Sequence, residues 1–237
     1  MVKTIGFHSP TYLGDPINVV NLFNRFEVDE IILLDIRATV EQRPPALELI
    51  EQLASECWVP LTYGGGIRGI DEARAIFAVG VEKIVLGTAA ADEPTFVRDA
   101  VAEFGAQAVV ISIDVRQRPG GQYEVFVESG RRPLAVDPAT YARRAQELGA
   151  GEIFLNAIDR DGTMAGYDNA LIRIVATAVS VPVIACGGAG ERADLARAIK
   201  LGGASAVAAG SIFVYQGRER GVLINFPERS QLEALLT

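Results

Sequence analysis

The chain has 237 residues, of which 49% are hydrophobic, and its formal net charge is −8. This length suits one large domain with a sizeable core, and an acidic balance without a basic block argues against nucleic acid as a partner. No apolar run approaches the roughly 18 residues of a membrane-spanning helix. Two cysteines and one histidine argue against a disulfide framework and a histidine-rich metal site. We therefore expect one cytoplasmic domain over residues 1–237, with no membrane contact, metal or cofactor.

Short apolar runs alternate with amphipathic stretches along the chain. Runs that are apolar throughout are typical of parallel strands covered on both faces. Strand–helix alternation over this length indicates a doubly wound sheet or a (β/α)8 barrel. The predicted strands are 30–36, 61–64, 83–86, 108–114, 152–156, 183–186 and 206–209, and the predicted helices between them include 71–79, 93–103, 138–148, 169–178 and 192–201.

An internal repeat decides between the two architectures. Residues 59–66 (VPLTYGGG) match residues 181–188 (VPVIACGG), and EIIL at Glu30 matches EIFL at Glu152 with the same offset, about 122 residues. Two similar halves predict a (β/α)8 TIM barrel built from two half-barrels. The repeat partner of strand 108–114 would fall before Met1. We therefore expect seven barrel strands here, with the first strand supplied upstream or, alternatively, by residues 1–7.

Glycines and hydroxyl side chains follow the predicted strands at matching places in the two halves. Glycine lets backbone N–H groups approach an anion closely, and a hydroxyl adds a donor. The alternative is that these glycines only form tight turns. Because the pattern occurs twice, we predict two phosphate sites and a substrate with a phosphate at each end. The residues are Gly65, Gly66 and Thr88 in the first half, and Gly187, Gly188, Gly210 and Ser211 in the second.

Charged residues mark both ends of the predicted strands. Asp114 ends a strand, where a carboxylate suits general acid–base catalysis or, alternatively, caps a helix. Asp35 ends another strand, and Asp161 lies in the loop IDRDGT; both could position a substrate. At the opposite end, each of three strands carries a charge at its start: Glu30, Lys83 and Glu152. These three could close the barrel bottom as a ring, or form an ordinary solvated ion-pair network.

Five motifs together resemble a known family. The segments GGGIR (64–68), GTAA (87–90), SID (112–114), IDRDGT with GYD (158–163 and 166–168) and CGGAG (186–190) resemble the cyclase subunit of imidazole-glycerol-phosphate synthase. The resemblance runs from about Lys3 to about Phe213. It implies a (β/α)8 enzyme with a glutamine amidotransferase partner at the barrel bottom. Ammonia would cross the barrel to a phosphorylated ribotide, giving imidazole glycerol phosphate and an aminoimidazole carboxamide ribotide.

The resemblance also implies roles for individual residues. Asp114 would be a catalytic aspartate, acting as general acid, and a second one would end the first strand. Lys3 matches the lysine of a flexible active-site loop, and Asp161 would hold substrate. Gly162 would join the phosphate-binding residues, and Glu30, Lys83 and Glu152 would be members of an ammonia gate.

Three alternatives stay open. One is a paralogue of the cyclase that passes ammonia towards amidation of a surface-polysaccharide sugar, a group that the start of the chain resembles. Another is a non-catalytic barrel that activates a glutaminase partner. The third, a related one-chain sugar-phosphate isomerase, needs no ammonia gate, so the charges at the strand starts argue against it.

Overall fold

The computed structural model describes residues 1–217 and 219–236. Strands and helices alternate through most of the chain. The strands are β1 (Val2–Ile5), β2 (His8–Tyr12), β3 (Ile31–Leu34), β4 (Leu61–Gly64), β5 (Lys83–Leu86), β6 (Val109–Gln117), β7 (Tyr123–Val127), β8 (Arg132–Pro133), β9 (Glu152–Ala157), β10 (Val183–Cys186), β11 (Ala206–Val207), β12 (Tyr215–Gln216) and β13 (Gly221–Val222). The helices are α1 (Pro16–Arg25), α2 (Leu47–Glu56), α3 (Ile70–Ala78), α4 (Thr88–Asp92), α5 (Pro94–Phe104), α6 (Pro138–Glu147), α7 (Asn169–Ala176), α8 (Arg192–Lys200), α9 (Ser211–Val214) and α10 (Arg229–Leu236), with a 3-10 turn at Ala106–Ala108.

Seven strands form one parallel sheet in the order β3-β4-β5-β6-β9-β10-β11. A small inner cluster contains Val85, Val110, Phe154 and Ile184, and both Ile32 of β3 and Ala208 beside β11 pack against it. In a flat sheet, these edge strands would lie about 29 Å apart. The sheet is therefore curled around a lumen. The predicted barrel class is confirmed, with seven barrel strands in the described residues.

Side-chain alternation separates the lumen from the outer core. Along β9, Glu152, Phe154 and Asn156 share one face, while Ile153 and Leu155 share the other. The outer-face residues join the main hydrophobic core, to which helical residues such as Ile76, Val97 and Leu171 also contribute. The helices therefore cover the outside of the sheet, and the inner face is left for the site.

Several helices begin at an aspartate that caps them. The side chain of Asp15 accepts hydrogen bonds from the N–H groups of Ile17 (3.0 Å) and Asn18 (3.2 Å), and Pro16 occupies the first helical turn of α1. Asp137 before α6 and Asp168 before α7 cap in the same way. Such caps satisfy N–H groups that have no partner inside the helix, and so fix where each helix starts.

The predicted strand positions are confirmed, but some bounds were wrong. The strand predicted at 30–36 ends at Leu34, because the side chain of Asp35 accepts hydrogen bonds from the N–H groups of Arg37 (3.1 Å) and Ala38 (3.0 Å) and turns the chain. The strand predicted at 108–114 extends to Gln117, because β7 pairs antiparallel with its end. The strand predicted at 206–209 ends at Val207.

Besides the antiparallel pair β12–β13, two hairpins lie outside the parallel sheet path. β1 pairs antiparallel with β2, so the alternative that residues 1–7 supply the first barrel strand was wrong. The other hairpin, formed by β7 and β8 after β6, lies over the loops that follow β3 and β5. The N–H of Glu128 donates to Thr88 Oγ1 (3.0 Å), and Ser129 Oγ donates to the carbonyl of Ile36 (2.9 Å).

The internal repeat is visible in the backbone. Gly65 and Gly187 have φ of 111° and 91°, and Gly66 and Gly188 have φ of 75° and 113°. A Cβ on Gly65 would lie 2.3 Å from the carbonyl oxygen of Asp35, and one on Gly187 would lie 2.7 Å from that of Ala157. Glycine is required at these paired positions, because the backbone there is left-handed and the carbonyl of another residue lies where a Cβ would be. Within the described residues, no helix has the length and apolar character to cross a membrane.

Candidate active site at the barrel mouth

Three side chains share one level at the carboxyl end of the sheet. In the strand register, Asp114 of β6 and Cys186 of β10 both lie beside Asn156 of β9. Asn156 shares the lumen face with Phe154, two positions earlier. The register therefore places a carboxyl, a carboxamide and a thiol together at the top of the lumen.

Asp114 is poised to be protonated near neutral pH. Withdrawal from bulk water raises the pKa of its carboxyl to about 7, and the negative charge of Asp161 adds to the rise. A hydrogen bond from Ser112 Oγ (3.3 Å) opposes the shift. A carboxyl with this pKa can give up a proton at neutral pH, as a general acid must.

Asp161 ties the N-terminal hairpin to the mouth. Its carboxylate accepts a hydrogen bond from Thr4 Oγ1 (2.8 Å) and pairs with Lys3 Nζ (3.5 Å), and its backbone carbonyl accepts from the N–H of Gly6 (2.9 Å). The ammonium group of Lys3 also lies over Gly210, 3.0 Å from where a Cβ would stand. The structure thus brings Lys3, Asp161 and Gly210 together.

Cys186 is a neutral thiol in this setting. Burial raises its pKa to about 12, partly offset by the nearby charge of Lys3. The thiol therefore offers polarity at the mouth without acting as a nucleophile.

The other glycine-loop residues surround the mouth, but several are engaged within the protein. The N–H of Gly66 donates to Thr39 Oγ1 (3.3 Å), and Thr88 accepts from Glu128. Gly162 (φ 72°) packs against β1, where an added Cβ would lie 1.9 Å from the carbonyl oxygen of Thr4. Gly188 accepts from the N–H of Gly166 through its carbonyl (2.7 Å).

Two predicted site residues, Asp35 and Ser211, differ in whether their polar groups are already bonded within the protein. Asp35 is engaged by two loop N–H groups and by Arg43 (3.4 Å), so it shapes the loop after β3. Ser211 is buried at the start of α9, directly after Gly210. No hydrogen bond between described residues occupies the N–H of Gly210 or of Ser211, which leaves these donors for a ligand.

The opposite end of the lumen carries the predicted charge cluster. Lys83 Nζ donates to Glu30 (3.0 Å) and to both carboxylate oxygens of Glu152 (2.9 and 3.2 Å). Burial lowers the pKa of Lys83, but the hydrogen bonds to the two carboxylates outweigh burial and raise it overall. The three side chains are only 20–26% exposed. They form a shared network at the strand starts, not separate surface ion pairs.

Between the two ends, the lumen is apolar. The residues are Val85, Val110, Phe154 and Ile184, with Ile32 and Ala208 packed against them. A neutral molecule can pass such a layer far more easily than an ion, since a charge without a partner is strongly disfavoured there. The lumen therefore joins a charged end to a polar mouth through an apolar layer.

Sequence reasoning missed four site residues. Thr4 and Ser112 bind Asp161 and Asp114, and the hydroxyl of Thr62 donates to Glu30. Asn156 is buried, and its Oδ1 has no hydrogen-bond partner among the described residues. The alternation of inward and outward side chains along a strand could have found two of them, because Thr62 and Asn156 are polar residues at inward positions of apolar strands. Thr4 carries no such signal, since its partner is 157 residues away.

Comparison with known proteins agrees with this geometry. A family model described as "Histidine biosynthesis protein" matches residues 1–219. A protein of Pseudomonas aeruginosa named "Putative imidazole glycerol phosphate synthase subunit hisF2" is 48% identical over 233 residues, which cover 98% of this chain and 93% of that protein. Similarly named subunits from Leptospira interrogans (43% identical; 99% of this chain and 93% of theirs) and Vibrio vulnificus (hisF3, 40% identical; 100% and 91%) match equally widely.

Proposed function

The chain belongs to the histidine biosynthesis protein family, as a cyclase subunit of the imidazole glycerol phosphate synthase type, and from this premise we propose that it uses ammonia released by a glutamine amidotransferase partner. The partner would dock at the barrel bottom. The acceptor would be a phosphorylated ribotide at the mouth, with imidazole glycerol phosphate and an aminoimidazole carboxamide ribotide as products. The observation that carries the proposal is the order of groups along the inner face of the sheet: the Lys83 network at the strand starts, the apolar cluster in the middle and Asp114 at the strand ends.

The mouth residues divide the chemistry between them. Asp114, with its pKa near 7, would protonate a leaving or ring nitrogen during ammonia addition and cyclisation. Lys3 would neutralise a phosphate charge when it leaves Asp161, and the N–H groups of Gly210 and Ser211 would bind the same phosphate. The matching loop around Gly65 and Thr88 would hold the phosphate at the other end of the substrate. The two unpaired thiols suit a reducing compartment, and we place the enzyme in the cytoplasm.

A second candidate function uses the same lumen with another acceptor. Of the three aspartates predicted at the mouth, Asp161 is bonded to Lys3 and Thr4, and Asp35 is bonded to Arg43 and two loop N–H groups; Asp114 has no cationic partner among the described residues. One available carboxyl suits delivery of ammonia to a simpler amidation. The candidate acceptor is then a surface-polysaccharide sugar.

The proposal is tested by reconstitution. The purified chain is mixed with the glutamine amidotransferase subunit of its source organism, and product formation is followed with glutamine or ammonium chloride as nitrogen source. We expect turnover of the ribotide with either nitrogen source, and glutamine-dependent turnover only when the partner is present. Turnover of the surface-polysaccharide sugar and not of the ribotide would select the second candidate.

The variant Asp114→Asn separates catalysis from partner activation. It should lose turnover with both nitrogen sources while the partner still hydrolyses glutamine in its presence. Unchanged turnover in Asp114→Asn would reject Asp114 as the acid. If neither acceptor reacts but the chain still stimulates glutamine hydrolysis, the barrel is a non-catalytic activator.

A further inference from the structure

The one tryptophan of the chain projects from the barrel bottom. Trp58 lies in the connection between α2 and β4, the end of the barrel at which the strands start, and it is 77% exposed. Large apolar side chains are scattered over most protein surfaces, but tryptophan is usually well buried. An indole exposed this far buries little of its area in the isolated chain, so most of its surface is free to contact a partner.

The backbone that carries Trp58 is firmly held. The buried side chain of Asn24 accepts a hydrogen bond from the N–H of Trp58 (3.0 Å) and donates to the carbonyl of Glu56 (2.5 Å). Cys57 Sγ donates to the carbonyl of Val59 (3.2 Å). Since the backbone is fixed on both sides, binding has to restrain only the two side-chain torsions of the indole. This small loss of conformational entropy suits an interface anchor.

The Trp58 loop is continuous with the charged end of the lumen. The carbonyl of Pro60 accepts from the N–H of Ile31, next to Glu30 (3.0 Å). Thr62, four residues after Trp58, donates its hydroxyl to Glu30. A protein that covers the bottom opening of the lumen would therefore also reach Trp58.

The surroundings of Trp58 indicate the chemistry of that partner. Phe26, which follows the helix of Asn24, adds a second exposed aromatic ring. The exposed charged residues in and beside the connections α1–β3, α2–β4 and α3–β5 are mostly acidic. The acidic residues are Glu27, Asp29, Glu56 and Glu82, against one arginine, Arg25. This pattern of aromatic centre and acidic rim fits an apolar pocket bordered by lysine and arginine.

We propose that Trp58 is the anchor by which this chain binds its glutamine amidotransferase partner, inserting into an apolar pocket with a basic rim. The inference rests on the proposed function, which supplies the partner. It adds the residue of this chain that binds the partner and the charge of the partner's surface. Truncation of an anchor of this kind weakens association about 30-fold or more.

The experiment measures binding of the purified glutamine amidotransferase subunit of the source organism to the full chain by titration calorimetry. We expect Trp58→Ala to raise the Kd about 30-fold or more, and higher salt to weaken the wild-type complex. Tyr12→Ala is the matched control, because Tyr12 is 71% exposed but lies on the N-terminal hairpin near the mouth, and it should bind like wild type. Turnover with ammonium chloride should be unchanged in Trp58→Ala, which shows that the barrel is intact.

The outcomes separate this inference from the proposed function. If the wild-type chain does not bind the subunit at all, the partner in the proposed function is wrong and the anchor falls with it. If the wild-type chain binds and Trp58→Ala binds equally well, only the anchor is wrong. A variant that keeps its affinity but converts a dimer of this chain into a monomer would assign Trp58 to self-association and overturn the proposal.

Discussion

At the scale of single residues, Asp114 has the environment most at odds with its ordinary chemistry. Its carboxyl lies away from bulk water, its pKa is raised further by the negative charge of Asp161, and Ser112 is its hydrogen-bond donor. The folded protein therefore holds a proton on Asp114 that the unfolded chain would release. Raising the pH through this range charges the carboxyl in a place that disfavours charge.

This arrangement predicts the pH dependence of stability. The folded pKa of about 7 lies above the ordinary 3.8, so the wild-type chain loses stability as the pH rises towards and through 7. Asp114→Asn carries no charge. Its free energy of unfolding relative to wild type should increase by about 2 kcal/mol between about pH 5.5 and pH 8.5. Urea unfolding of both proteins across this range gives the measurement, and parallel pH curves would contradict the raised pKa.

At the scale of elements, the N-terminal hairpin is held at the mouth by a glycine. Gly162 adopts φ 72°, and the carbonyl of Thr4 passes where its Cβ would be. The same contact positions Lys3 and Thr4 over Asp161. The hairpin therefore depends on one backbone approach in addition to its side-chain bonds.

Gly162→Ala should detach this hairpin without unfolding the barrel. The added methyl clashes with the carbonyl oxygen of Thr4, and the left-handed backbone adds about 1 kcal/mol of strain. We expect faster amide exchange across β1 and β2 and reduced turnover, with little change in the rest of the sheet. Gly69→Ala is the control, because Gly69 has extended backbone and nothing within 4 Å of an added Cβ. Equal exchange rates in Gly162→Ala and wild type would contradict the role of the contact.

The elements also indicate what the sequence could predict. β4, β5 and β10 were predicted to the residue, because each is an apolar run bounded by a turn and by glycine or a charged residue. The β1–β2 hairpin was not predicted, since its residues are largely exposed and lack an apolar face. The ends of β3 and β6 depend on a side-chain cap and on an antiparallel partner, which local apolar patterns do not reveal.

The site residues also divide into those that the sequence reveals and those that only the fold reveals. Glu30, Lys83 and Glu152 could be found because they break apolar strands at their starts and two of them are repeat mates, and the structure bonds all three. The pairing of Lys3 with Asp161 spans 158 residues and needs the fold to be seen. The phosphate roles of the glycine loops and the single-domain assignment stay predictions.

At the scale of the whole molecule, the twofold repeat predicts how the barrel binds ligands. The loops around Gly65 and Gly187 have matching backbone. In each half a later strand, β5 or β11, leads to a short helix that begins at a hydroxyl residue, Thr88 or Ser211. A ligand with a phosphate at each end can engage both halves at once, so its binding should gain from both contacts.

We expect fructose 1,6-bisphosphate to bind about tenfold or more tightly than fructose 6-phosphate, an additional 1.4 kcal/mol or more. Thr88→Ala and Ser211→Ala should each bring the bisphosphate close to the affinity of the monophosphate, because either change weakens one half. Titration calorimetry with both sugars measures this. Equal affinities for the two sugars in the wild-type chain would contradict the two-site prediction.

The apolar layer between Lys83 and Asp114 has a consequence for protons. If nitrogen crosses Val85, Val110, Phe154 and Ile184, it crosses as uncharged ammonia, because this layer offers an ammonium ion no counter-charge. Any proton that the nitrogen carried in solution stays on the side of Lys83 and its two carboxylates. Each turnover would then leave acid at one end of the barrel and deliver a base to the other, where Asp114 can supply a proton. The layer would therefore separate charge across the enzyme as well as admit a substrate.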